Sequence, residues 1–119
     1  MSNVNENIRN FRKFRGLSQK ELGSRVGKST NVVSNWENGL HSPDLDTIAE
    51  ICKVLRVTPN QIFGWEENKE YSAHLRRIKI YQERISELKN EISKMEAELS
   101  EAESFKNAEE SVSDDNEGH

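Results

Sequence analysis

Apolar residues recur at three- and four-residue steps through the first half of the chain, which is the spacing of one face of a helix. The recurring positions are Val4, Ile8, Phe11, Leu17, Leu22, Val26, Val33, Trp36, Leu45, Ile48, Cys52 and Leu55. They fall into four runs, so the pattern predicts four short helices. No segment alternates apolar and polar residues for long enough to indicate a strand, and the predicted fold class is therefore all-α.

Residues with turn and capping preferences separate these runs. Ser18 and Glu21 have the spacing of a capping box before the second run. The tetrapeptide Thr58-Pro59-Asn60-Gln61 has the same pattern, with proline at the first helical position, and predicts a short fifth helix through Phe63. The other starts and stops are marked by Gly16, Gly27, Ser29, Gly39, Pro43, Asp44 and Gly64. Residues 1–66 are thus predicted to form a five-helix head.

The periodicity changes to a seven-residue repeat between about Glu70 and Lys106, where the chain has no Gly or Pro. The a positions are Tyr71, Ile78, Ile85, Ile92 and Leu99, and the d positions are His74, Tyr81, Leu88, Met95 and Ala102. A narrow apolar seam of this kind predicts a coiled-coil dimerisation helix over residues 67–106. The residues expected to form the dimer contact are Ile78, Tyr81, Ile85, Leu88, Ile92, Met95 and Leu99.

The last thirteen residues, 107–119, hold five acidic side chains and no Lys or Arg. Apart from Ala108, Val112 is the one aliphatic residue there, so the segment has little apolar surface to bury. We predict a disordered acidic tail, which could bind a protein partner.

Basic residues are concentrated at the start of the chain. Residues 1–35 carry seven Lys or Arg against two Glu, whereas residues 67–119 carry eight Lys or Arg against fourteen Asp or Glu. A polyanion would therefore bind the head rather than the rest of the chain.

The stretch from Gln19 to Gly39 has the spacing of a helix, a tight turn and a second helix. Gly23 lies where two steeply crossing helices leave room for no more than a methyl group, and Gly27 supplies the turn. The segment from Ile8 to Phe63 resembles the phage repressor and Cro (XRE-type) helix-turn-helix family, whose members have five-helix, lambda-repressor-like DNA-binding heads.

This resemblance implies a role for each polar residue of the motif. Residues matching the family's base-reading positions are Thr30, Asn31 and Asn35, with Ser34 and Val32 as additional contacts. An asparagine in the major groove can pair bidentately with adenine. Gln19 and Asn38 match the family's phosphate-binding positions. Lys28 stands where the family often has an aliphatic residue or Thr, but its ammonium could reach a phosphate at the start of the helix. Ser29, beside it, is also expected to contact a phosphate. Arg12 and Glu37 match the family's structural ion pair.

Other function classes find little support in the sequence. It has no Gly-rich phosphate loop and no Cys/His or Ser/His constellation, so we expect no enzyme activity. The single cysteine, Cys52, and three scattered histidines give no expectation of a metal or another cofactor. No apolar run is long enough for a membrane span and no signal peptide is recognisable, so we expect a cytoplasmic protein.

Two functions remain open at this point. The first is a sequence-specific transcriptional regulator, most simply a repressor of phage or mobile-element type that binds a palindromic DNA operator as a homodimer. The second is an antitoxin or adaptor module whose coiled coil and acidic tail bind a protein partner. A steep loss of affinity with rising salt would favour the first.

Two sequence features favour opposite orientations of the two helices in the coiled coil. Ile at a with Leu88 at the central d position favours a parallel pair. In a parallel pair, however, Arg84 would meet Lys89 and Glu91 would meet Glu96, whereas an antiparallel pair would match Arg84 with Glu91. On these charges we expect an antiparallel homodimer.

Overall fold

The computed structural model describes residues 3–117 and, among them, the side chains of residues 3–109. These residues form six helices, which we label α1 (Val4–Phe14), α2 (Gln19–Val26), α3 (Thr30–Glu37), α4 (Leu45–Leu55), α5 (Pro59–Ile62) and α6 (Lys69–Glu117). The described residues contain no strand, which confirms the all-α prediction. The chain divides into two compact units after Leu75. None of the described helices is both long and apolar enough to cross a membrane.

The predicted helix starts have side-chain caps, although Ser18 and Glu21 form only half of the predicted capping box. Ser18 Oγ accepts a hydrogen bond from the Glu21 backbone N–H at 3.0 Å, and Ser29 Oγ accepts one from Val32 at 3.2 Å. Asp44 caps α4 in the same way at 2.8 Å. A full capping box precedes α5, with reciprocal bonds between Thr58 and Gln61.

The core of the first unit is formed by the inner faces of α1 to α5. Its most deeply buried side chains are Ile8, Leu22, Val33, Ile51, Leu55 and Ile62. Cys52 is buried among them, and desolvation raises the pKa of its thiol, as expected for a small structural side chain. Leu45, by contrast, is 79% exposed. It is the first residue of α4, and Ile51, which the periodicity did not include, lies in the core instead.

Gly23 is packed more tightly than the sequence indicated. A Cβ atom at this position would lie 2.5 Å from the backbone carbonyl oxygen of Lys28 and 3.3 Å from Val33 Cγ2. The Lys28 N–H donates to the Gly23 carbonyl at 2.8 Å, so the turn is tied to this residue. The expectation that a methyl group fits here is therefore wrong, because the turn approaches the backbone of α2 too closely.

The first two turns of α6 belong to the first unit. The Tyr71 ring lies 4.9 Å from the Phe11 ring and 5.3 Å from the Phe14 ring, and His74 also contacts Phe14. Arg15 binds Glu70 at 2.9 Å and donates to the Leu55 carbonyl at 2.7 Å. Tyr71 and His74 thus pack on the head rather than in a coiled-coil seam, and the head extends beyond residue 66 to Leu75.

The second unit is a single helix whose side chains are exposed from Lys79 through Glu109. The backbone of α6 is helical to Glu117, so the helix continues into the segment predicted as a disordered acidic tail, and the disorder of that segment stays a prediction. Ala108, Glu109 and Glu110 have high helix propensity, and no Gly or Pro interrupts the chain before Gly118. The few apolar residues of this segment give it little surface to pack against another element, but this composition does not prevent the backbone from being helical. Residues 118 and 119 of the predicted tail lie outside the described residues.

We predict that Gly23→Ala lowers the free energy of unfolding. Alanine gains about 1 kcal/mol in helix propensity, but forcing a methyl group against backbone costs about 1–3 kcal/mol. We expect a net loss of about 1 kcal/mol in urea unfolding. Ser24→Ala, one residue along at an exposed position, should be neutral or slightly stabilising. A Gly23→Ala variant more stable than the wild type would contradict the close approach.

We also predict that the head needs residues 68–75 for full stability. A fragment of residues 1–75 should keep the Tyr71 contacts, whereas one ending at Glu67 should lose about 2 kcal/mol because the aromatic ring is no longer buried. Urea unfolding of the two fragments measures this difference. Tyr71→Ala in the longer fragment should reproduce most of the loss, and equal stability of the two fragments would contradict the prediction.

Candidate nucleic-acid interface

Helices α2 and α3 are joined by a three-residue turn. Gly27 ends α2 in the left-handed conformation, with φ of 69°, and its N–H donates to the Gly23 carbonyl. Lys28 and Ser29 complete the turn, and Ser29 caps α3. Leu22 and Val33 are fully buried between the two helices and the core. The pair therefore has a fixed geometry that presents the outer face of α3.

The predicted base-reading residues form one strip along α3. Thr30 and Asn31 are exposed in its first turn, and Ser34 and Asn35 are half-buried one turn later. Residues four apart share a helix face, so the four side chains lie as two adjacent pairs. Val32, the further candidate, packs partly against the core. The strip is polar, uncharged and short enough for its donors and acceptors to reach base edges.

The candidate phosphate-binding residues flank this strip. Lys28 and Ser29 are exposed at the N-terminal end of α3, where the backbone N–H groups favour an anion. Asn38 is exposed at the C-terminal end, and Gln19 is half-buried at the start of α2. The arrangement places an amide or ammonium donor on both sides of α3.

The carboxylate of Glu37 connects α3 to both α1 and α2. Arg12 makes a bidentate contact, with Nε–Oε2 at 2.6 Å and Nη2–Oε1 at 2.9 Å. Gln19 Nε2 donates to Oε1 at 3.2 Å, and Arg9 Nε lies 3.5 Å from the same oxygen. The Glu37 side chain is fully buried. The two residues that the resemblance paired, Arg12 and Glu37, are therefore in contact and belong to a larger network.

This network orients both flanking amides. Gln19 uses one N–H on Glu37, and its other N–H is free to donate outward. Asn38 Oδ1 accepts from Arg9 Nη2 at 3.1 Å, and Asn38 Nδ2 donates to Ser34 Oγ at 3.4 Å, which leaves its second N–H for a further acceptor. Arg9 is not among the residues that the sequence predicted for this site. The signal was its three-residue spacing from Arg12, which puts both guanidinium groups on one face of α1.

The charges around Glu37 also set its protonation. Burial raises the pKa of this carboxyl, but hydrogen bonds from Arg12 and Gln19 and the positive charges of Arg12 and Arg9 lower it by more. The net pKa lies below the ordinary value of 4.5. Glu37 is therefore ionised at neutral pH, and its partners hold it as a carboxylate.

Known proteins that resemble this chain include helix-turn-helix regulators. A helix-turn-helix family model matches residues 8–72. The chain is 33% identical over 89 residues to the antitoxin PezA of Streptococcus pneumoniae, covering 71% of this chain and 56% of that protein. It is 26% identical over 86 residues to the transcriptional regulator ImmR of Bacillus subtilis, covering 72% and 68%. The chain thus spans little more than half of the pneumococcal relative.

A solved structure has a similar head. The P22 c2 repressor in complex with a synthetic operator superposes with a TM-score of 0.52 at 27% identity. The superposition covers 56% of this chain and all of the repressor chain.

We predict that Glu37→Gln destabilises the head by about 3 kcal/mol at pH 7, because it leaves the buried Arg12 charge without a carboxylate. Folding lowers the pKa of Glu37, so the ionised carboxylate adds to the free energy of unfolding. This stabilisation is fully present above a pH of about 4.5 and is lost as the pH falls through the pKa of the folded state. Urea unfolding between pH 7 and pH 3 should show the difference between wild type and variant shrinking with acidity.

Glu50→Gln is the matched control for this prediction. Glu50 pairs with Lys53 at 3.4 Å, but both side chains are more than half exposed. Such a pair contributes about 0–1 kcal/mol, so the control should have nearly wild-type stability at each pH. Equal effects of the two substitutions would show that the Glu37 network adds no more than a surface ion pair.

Proposed function

Because the chain belongs to the XRE-type helix-turn-helix family, we propose that it is a sequence-specific DNA-binding transcriptional regulator. The observation that carries this proposal is the polar strip on α3, bracketed by two amides that the Glu37 network orients. This arrangement suits a duplex, since the strip can enter the major groove while the flanking donors bind the sugar-phosphate backbone on either side. The 27% identical P22 c2 repressor, solved with operator DNA, supports the same docking.

In this proposal the two sets of residues act differently on DNA. Asn31 and Asn35 read base edges with their amides, and Thr30 and Ser34 add hydroxyl contacts. Gln19, Lys28, Ser29 and Asn38 bind phosphates and fix the position of α3 in the groove. The first set determines which sequence is bound, whereas the second contributes affinity to every sequence.

We further assign the chain as a repressor of phage or mobile-element type. It would bind a palindromic operator as a homodimer and block access to a promoter by occupying it. One head reaches only one half-site, so an exposed apolar stripe on α6 that joins two copies would raise operator affinity through effective concentration.

A second candidate function is that of an antitoxin or adaptor. Two observations favour it: the 33% identity to an antitoxin over 71% of this chain, and the exposed apolar side chains of α6. In that case α6 would bind a different protein, and DNA binding would be secondary. The two functions differ in what salt does to the main interaction, because phosphate binding weakens steeply with salt and apolar binding does not.

We predict that Asn35→Ala reduces discrimination between the operator and a singly mismatched site by about 1–3 kcal/mol, because a bidentate base contact is lost. Lys28→Ala should weaken binding to operator and random duplex alike. It should also make the slope of log affinity against log salt concentration shallower by about one, the change expected when one phosphate contact is lost. Gln19→Ala should also weaken all sequences alike. Binding titrations on a site footprinted beside the chain's own reading frame measure all three.

The outcomes separate the two candidate functions. Equal loss for operator and random duplex with Asn35→Ala would contradict the reading role of α3. Absence of any salt-dependent duplex binding by the full chain would contradict the regulator and leave the protein-binding module.

A further inference from the structure

We infer that α6 pairs with α6 of a second copy in an antiparallel coiled coil, with Ile85 of each chain opposite Leu88 of the other. This inference rests on the proposed homodimer and specifies how its two chains meet. It follows from an exposed apolar stripe that has a defined length and from the charges that border it.

The stripe is apolar and uncovered in the single chain. Leu88 is 39% exposed, Ile92 48% and Ile85 51%, on a helix that is otherwise rich in charged residues. A contiguous apolar surface of this kind marks an interaction site. Because Tyr71 and His74 pack on the head, the available seam is confined to Ile78, Tyr81, Ile85, Leu88, Ile92, Met95 and Leu99.

The charge of α6 reverses near its middle. Residues 76–90 contain five Lys or Arg and two Glu, whereas residues 91–106 contain two Lys and five Glu. A parallel pair aligns like with like along its whole length, and an antiparallel pair aligns each basic half with an acidic half. This complementarity identifies a second copy as the partner, since the chain carries both halves of the match.

Individual contacts across the seam follow the same rule. In a parallel coil, g residues meet the next e residues, which opposes Arg84 to Lys89 and Glu91 to Glu96. In the antiparallel coil, g residues meet g residues, which pairs Arg84 with Glu91 of the partner. The pair of Arg77 with the partner's Glu98 is also attractive, and symmetry repeats both pairs. Arg84 Nη1 donates to Glu87 Oε2 of its own helix at 3.1 Å, and the other guanidinium N–H groups remain for Glu91 of the partner.

The same charges select one antiparallel register. Shifting the partner by a heptad in one direction brings Arg84 opposite Arg84, and a shift in the other direction brings Glu91 opposite Glu91. In the unshifted register the apolar layers are Ile78 with Met95, Tyr81 with Ile92, and Ile85 with Leu88, each occurring twice. These six layers are formed by the stripe alone, in which Ile78 is half-buried and the other five residues are exposed, and they need neither Tyr71 nor His74.

This register has a geometric consequence for the dimer. Arg76 of one chain lies opposite residue 97 of the other, so the two copies of Arg76 are ~32 Å apart along the coil axis. The two heads therefore leave the coil at opposite ends. Their points of departure are separated by nearly one DNA turn of about 34–36 Å.

A charge reversal at Glu91 distinguishes the two orientations by the sign of its effect. In the antiparallel coil Glu91→Lys opposes Arg84 and should raise the dimer dissociation constant about tenfold, because two contacts change from attraction to repulsion. In a parallel coil the new lysine would face Glu96 and tighten the dimer. Sedimentation equilibrium of the full chain measures the constant. Glu83→Lys carries the same charge change at a position facing away from the partner and should leave it nearly unchanged.

Distances between spin labels give an independent test in the full chain. Ser86, Ser93 and Ser100 occupy the same outward heptad position and are exposed. The antiparallel register predicts axial separations of ~1.5 Å, ~20 Å and ~40 Å for Cys variants at these three sites. A parallel coil would give three similar short distances. Wild-type protein, whose one thiol is the buried Cys52, is the control for stray labelling.

The results separate this inference from the proposed function. Similar short distances, or a dimer tightened by Glu91→Lys, would overturn the antiparallel orientation and leave the homodimer in place. A full-length chain that remains monomeric at tens of micromolar, the order of concentration suited to a coil of this length, would overturn both. Increasing distances together with a dimer weakened by Glu91→Lys would establish the orientation.

Discussion

The buried carboxylate of Glu37 is the interaction on which the arrangement of the first three helices depends. It lies at the end of α3, accepts hydrogen bonds from α1 and α2, and is fully removed from water. A buried charge is tolerable only when its partners are fixed, so the network restricts how the three helices can move relative to one another. The same partners orient Gln19 and Asn38. Stability of the head and the geometry of its polar surface therefore have a common origin.

Much of the head could be predicted from the sequence because its signals are local. Helix starts depend on a hydroxyl or carboxylate three residues before a backbone N–H, as at Ser29 and Asp44, and this relation is visible in the sequence. Likewise, the buried faces of the helices follow mostly from a repeat of three and four residues, with α4 as the exception, where Leu45 is exposed and Ile51 is buried. The resemblance of the Gln19–Gly39 stretch to a known family then indicated which exposed side chains to consider.

The features that sequence reasoning missed depend on contacts between distant segments. The role of Arg9 could have been inferred from its three-residue spacing from Arg12, once Arg12 was paired with Glu37, whereas the packing of Tyr71 on Phe11 required knowing where α6 starts relative to α1. The heptad pattern alone could not reveal that its first a and d residues, Tyr71 and His74, pack against the head.

Gly23 also bears on how this chain can change over time. The carbonyl of Lys28 occupies the space that any larger residue would need. A substitution at position 23 is therefore destabilising in the present turn, whereas a new turn that moved this carbonyl would let alanine contribute its helix propensity without that cost. Position 23 and the turn at Lys28 are therefore coupled, and the effect of a mutation at one of them depends on whether the other has already changed.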